Sequence, residues 1–163
     1  MNHIYSNKAA GSYIVRTQDE LLELLFILGV QAMPEPISLI SSAEIQPSEF
    51  LSFLQYLGIL LHPDDVYDGR ISRDNTHVWM VLDNTELENF NANEMKLITQ
   101  KLTAKPQTHI LLDVSKTPGS EQLALEFACK FAKKWSCILY NSNYKIHSAQ
   151  ELLELCPAEA DFV

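Results

Sequence analysis

Apolar positions along this chain recur in two spacings. Three short segments are apolar almost without a break: His77–Leu82 (HVWMVL), Thr108–Val114 (THILLDV) and Cys137–Tyr140 (CILY). Compact apolar runs of this length, rich in β-branched and aromatic residues, read as core strands. Between and around them the apolar residues fall at helical intervals. Asn91 and Glu94 resemble a helix start, and Met95, Leu97, Ile98 and Leu102 continue it to about Ala104. A longer helix is expected from Ser120 as N-cap to near Trp135, with Leu123, Ala124, Phe127, Ala128, Phe131 and Ala132 on its buried face. Ser148 and Glu151 form a second capping box over Ala149–Leu155.

The first half repeats the alternation more weakly. Ser12–Arg16 reads as a short strand. Thr17 and Glu20 cap a helix through Leu21, Leu22, Leu24, Leu25 and Leu28, ended by Gly29. Ile37–Ile40 reads as a strand. Pro47 suits the first turn of a helix using Phe50, Leu51, Phe53, Leu54 and Leu57, with Gly58 at its end. Ile59–His62 is a further short strand. Asp68-Gly69 predicts a hairpin turn between Asp65–Tyr67 and Arg70–Ile71.

Strands alternating with helices predict βαβ units. The expected fold is therefore α/β, with α+β as the alternative: one mixed, partly parallel sheet flanked by helices. At 163 residues, with no repeat, low-complexity tract or linker, a single domain over 1–163 is expected.

Charge narrows the partners. The net charge is −9, which argues against nucleic acid or anionic membrane, since both need a positive patch. From Thr17 to Gly69 there are nine acids and no Lys or Arg; from Lys96 to Lys145 there are eight lysines against Asp113, Glu121 and Glu126. Such lopsidedness serves solubility, and it also steers a basic protein partner. There is no signal-peptide pattern, and Leu24–Val30 and Ile59–Leu61 are too short to span a bilayer. Cys129, Cys137 and Cys156 lack zinc or redox-motif spacing. Reduced thiols in a cytoplasm are expected, with Cys129 and Cys137 as small core residues.

Candidate chemistry is sparse. Ser115–Ser120 joins a core strand to a helix and includes Lys116, as a phosphate cradle would, but it has one glycine and neither phosphate-binding motif. Asp113 ends a core strand, where α/β active sites gather. His62-Pro63-Asp64-Asp65 with Asp68 offers oxygens for a divalent cation, without the spacing of a calcium loop; the simpler reading is a solvated acidic turn. No nucleophile motif occurs. Trp79 and Trp135 read as core or half-buried residues.

The stretch 77–155 resembles small bacterial immunity proteins encoded beside toxins in contact-dependent and polymorphic systems. Gly119, Ser120, Leu123, Ala124, Phe127, Ala128 and Trp135 carry the similarity. The resemblance implies a non-enzymatic antitoxin, without cofactor, that neutralises a cognate toxin, commonly a basic nuclease. The acidic residues that would meet such a partner are Asp64, Asp65 and Asp68 beside Tyr67, with Asp83, Glu86 and Glu88 as a second patch. The alternative is a small nucleotide- or metal-binding enzyme using Asp113 and the 115–120 loop. A scaffold module is a third reading.

Overall fold

The computed structural model describes residues 3–7, 11–15, 36–62, 66–141 and 146–156. The chain divides into two compact units, Met1–Met33 and Pro34–Val163. In the first, strands β1 (His3–Asn7) and β2 (Gly11–Val15) form an antiparallel hairpin with His3 opposite Val15 and Asn7 opposite Gly11. β2 matches the strand expected at Ser12–Arg16 to within a residue. The helix expected from Thr17 to Gly29 lies outside the described residues.

The second unit holds a seven-stranded sheet. Its elements run β3 (Ile37–Ser41), α1 (Pro47–Tyr56), β4 (Leu60–Leu61), β5 (Gly69–Arg73), β6 (Thr76–Leu82), a 3-10 helix η1 (Asn84–Glu88), α2 (Ala92–Leu102), β7 (Thr108–Val114), α3 (Ser120–Lys134), β8 (Cys137–Tyr140), β9 (Ile146–His147) and α4 (Ala149–Glu154). The spatial order is β4-β5-β6-β7-β3-β8-β9.

Every neighbouring pair in this sheet is antiparallel. The expectation of a partly parallel α/β sheet is therefore wrong, and the fold is α+β. The reason lies in β3. The crossover through α3 does return the chain in the direction of β7, as in a βαβ unit. However, β8 does not pair with β7: β3 sits between them, antiparallel to both. A run such as THILLDV shows that a strand is deeply buried, but not which strand it pairs with.

The local signals that position these elements are plain. Pro47 opens α1, whose first turn is closed by Glu49 accepting the Gln46 amide at 2.8 Å. Asn91–Glu94 and Ser148–Glu151 form the two expected capping boxes. Gly58 takes a left-handed φ of 74° just beyond α1. The hairpin is displaced from its predicted position. Asp68-Gly69 enters β5 instead of forming the turn, and the tight turn is Asp74-Asn75, joining β5 to β6 with Asp74 at φ 53°. Gly69 is required by space: a Cβ there would stand 2.9 Å from Leu54 Cδ1 and 3.2 Å from Met80 sulfur. α1 can approach the sheet because that side chain is missing.

The two faces of the sheet differ. Ile71, Val78, Met80, Ile110, Leu112, Val114, Leu39 and Leu139 face α1, α3 and α4 across one large core. At its centre Phe53 meets Phe131 at 6.0 Å and Trp135 at 5.0 Å between ring centroids. The second face is covered only in part. There α2 and η1 bring Ile98, Leu102, Leu87 and Phe90 onto Ile40, Ile138, Tyr140 and Ile146.

Cys129 of α3 and Cys156, just after α4, form a disulfide that closes a separation of 27 residues. This corrects the expectation of three reduced thiols. Linear spacing says nothing about two cysteines brought together by a helix packing onto a helix, and cytoplasmic residence loses the support it took from free thiols. Cys137 is free and buried, and burial pushes its thiol up to about 12. Among the described residues no helix is long and apolar enough to cross a membrane.

Candidate functional site

Side chains alternate across a strand, so residues between the core positions of β5, β6 and β7 must point to the second face. The register makes this exact. Leu60 lies opposite Arg70, Arg70 opposite Trp79, and Trp79 opposite Asp113, forming one row across β4, β5, β6 and β7. Ser72 and His77 form the next pair on one side, and Val81 and Leu111 the pair on the other. Of the described helices, α3 packs most closely on β6, and it does so from the core face. α2 and η1 lie over β3, β8 and the His109 end of β7. The rest of the second face, around Arg70, Trp79 and the Asp113 end of β7, carries neither of them.

Three rings and two charges sit there. Trp79 is half-buried, 6.2 Å from the Tyr67 ring and 5.7 Å from the His77 ring. The Tyr67 hydroxyl donates a hydrogen bond to the Asp113 carboxylate. That bond, with burial and the negative charge of Asp113, pushes the phenol up to about 12. Tyr67 therefore stays protonated and holds Asp113 as an acceptor at any physiological pH. His77 Nδ1 meets Ser72 Oγ at 2.9 Å. Arg70 has its Nε buried without a hydrogen-bond partner. On the rim, Leu60 and Val66 are 57% and 81% exposed.

The boundary with the covered half is fixed by His109. Its ring is buried, with Nδ1 donating to the Asp83 carbonyl at 3.1 Å and Nε2 accepting from Ser38 Oγ at 2.8 Å. Burial lowers its pKa, so the neutral ring that this bonding pattern needs is the stable form. His109 is a structural post, as its position in an apolar strand implied.

Of the residues expected to bind a partner, Asp68, Asp83, Glu86 and Glu88 gather about the end of β6 and η1. Asp64 and Asp65 lie outside the described residues. The Asp68 carboxylate accepts the Leu82 amide at 2.8 Å and ties the loop before β5 to the end of β6. Asp83 accepts the Thr85 amide at 3.1 Å and caps η1. Glu86 accepts from Asn89 Nδ2 at 3.1 Å, and Glu88 is exposed beside it. Tyr67 reaches the open sheet face, where it meets Asp113, the residue the rival enzymatic reading relied on. Trp79, Arg70, His77 and Leu60 were missed. Their signal was present: HVWMVL contains an alternation of Val78 and Met80 against His77 and Trp79, hidden because both sets are large and mostly apolar.

The 115–120 loop is internally satisfied. Ser115 Oγ accepts the His77 amide at 3.1 Å and bonds Ser120 Oγ, while the Ser120 amide donates to the Thr117 carbonyl at 3.1 Å. Ser120 is 1% exposed and is the first residue of α3, not its cap; the cap position is Gly119 at φ 95°. Its backbone and hydroxyls fasten the start of α3 to β6. No group of three or more His, Cys, Asp or Glu among the described residues could hold a metal ion. No protein-family model, characterised protein or solved structure matches the chain.

Proposed function

We propose that this protein is an antitoxin of the immunity type, which binds a basic toxin and covers its active or substrate-binding groove. The observation that supports this reading is the aromatic face of Tyr67, Trp79 and His77 set around Asp113 on the part of the second face that carries neither α2 nor η1. Tryptophan, tyrosine and arginine dominate the energetics of protein interfaces because they remove large areas from water at low entropic cost. Here the tryptophan and the arginine lie on the sheet, and the tyrosine packs on it from the loop before β5. A net charge of −9 adds attraction toward a basic partner and raises the encounter rate.

This reading moves the contact from the acidic loop to the sheet. Tyr67 stays at the centre. Asp68 and Asp83 serve it indirectly, by holding the loop and η1 in place, and Glu86 and Glu88 contribute charge at the margin. The experiment is direct binding of the purified product of the neighbouring reading frame, with rescue of that product's toxicity as a second readout. Nanomolar binding with neutralisation is expected. Absence of any binding at micromolar concentration contradicts the proposal.

A further inference from the structure

We infer that the row Arg70–Trp79–Asp113 fixes the orientation of the partner, which brings a lysine or arginine to Asp113 and a carboxylate to Arg70. This deepens the antitoxin reading and rests on it. Arg70 and Asp113 are two strands apart, so their backbones are separated by roughly 10 Å. Trp79 stands between them, and the Asp113 carboxylate accepts from Tyr67, not from Arg70. Arg73 shows the contrast: it reaches Glu126 at 2.8 Å and is paired within the fold. Among the described residues Arg70 has no carboxylate partner, and its buried Nε makes no hydrogen bond. An incoming carboxylate would accept from the terminal nitrogens of the guanidinium, in the two-pronged geometry that arginine favours.

Asp113 is complementary. One carboxylate oxygen accepts from Tyr67, which aims the group without neutralising it. The rings of Tyr67 and Trp79 stand 6.2 Å apart beside it. A carboxylate flanked by aromatic rings suits a cationic side chain, which gains both an ion pair and attraction to the rings. The strip therefore reads minus, aromatic, plus across three strands, and the partner must carry the reverse order. A uniformly basic surface satisfies only one end of it.

The test uses the full chain and the purified neighbouring gene product, by calorimetry at two salt concentrations. Asp113→Asn keeps an acceptor for Tyr67 and removes the charge; affinity is expected to fall at least tenfold with a shallower salt dependence. Arg70→Gln is expected to weaken binding about threefold to tenfold. The double swap Asp113→Lys with Arg70→Glu leaves net charge at its original value, so general steering is preserved; it is expected to lose at least a hundredfold. A thermal melt of each variant checks folding, and only variants that fold are read. If both single variants bind within twofold of wild type, the polarity is wrong and the antitoxin reading stands. If the wild type itself does not bind, both fall. A double swap that binds as well as Asp113→Asn alone also overturns the inference, because order then carries nothing.

Discussion

The two faces of the seven-stranded sheet are made by the same strands and obey opposite rules. One face is filled by three helices and contains almost only apolar side chains, among them Phe50, Phe127 and Phe131 with no exposure. The other is divided. Over β3, β8 and the His109 end of β7 it is closed by α2 and η1, and over the rest it presents Arg70, Trp79, His77 and Asp113. A sheet that had only to fold would gain by burying Trp79 under a helix. A tryptophan, a tyrosine and an arginine held half in water are what the proposed recognition surface would use. The contrast teaches that stability and recognition are separated by the pleat: odd and even positions of the same strand do different work.

Breaking the closed face should have the largest effect. Phe131→Ala removes a ring that packs on Phe53, Phe127 and Trp135. A loss of about 3–5 kcal/mol in urea unfolding is expected, from lost burial plus the cavity left behind. The folded fraction should keep its partner affinity. Next is the tie across that face. Cys156→Ser opens the loop of 27 residues closed through Cys129, and chain-entropy arguments put the loss at about 3–4 kcal/mol. Thermal melts of wild type in reductant should coincide with those of the variant, and oxidised wild type should melt higher than both.

The divided face gives smaller, pH-dependent signals. Burial lowers the His109 pKa, so the unfolded chain binds the proton more readily. The stabilisation is complete above the ordinary histidine value near 6.5 and is lost as pH falls below it. The urea midpoint of wild type should therefore drop between pH 7 and 5 more than that of His109→Gln. Tyr67 behaves in the opposite pH range. Its folded value of about 12 exceeds the ordinary value near 10, so its contribution is complete below pH 10 and lost as pH rises from 10 through 12. Burial and the bond to Glu94 also raise Tyr140, so an absorbance titration at alkaline pH should show more than one phenol ionising late, and Tyr67→Phe should remove one of them. The same variant should cost about 1–3 kcal/mol of stability, the range for a hydrogen bond to a charged group.

How much of this was legible in the sequence depends on the range of the signal. Caps and turns act within four residues, so Pro47, Asn91–Glu94, Ser148–Glu151 and Gly58 marked their elements correctly. Strand pairing is set by contacts far apart in the chain, and nothing local in Ile37–Ile40 announces that it inserts between β7 and β8. The same limit hid the disulfide, whose partners meet only because α4 follows α3 across the core. It also hid the row Leu60–Arg70–Trp79–Asp113, since each residue comes from a different strand. β5 was legible in principle: GRISR and THVWMVL flank the two turn residues Asp74-Asn75. The competing Asp68-Gly69 signal, six residues earlier, drew the turn to the wrong place.

The most direct measurement of the central claim is the affinity of Trp79→Ala for the purified neighbouring gene product, alongside its thermal midpoint. Trp79 is half-buried on the open face and contributes nothing to the large core. The account predicts a loss of affinity of about thirtyfold or more, the mark of an interface hot spot near 2 kcal/mol, in a protein that remains folded. A folded variant that binds as tightly as wild type would place the working surface elsewhere.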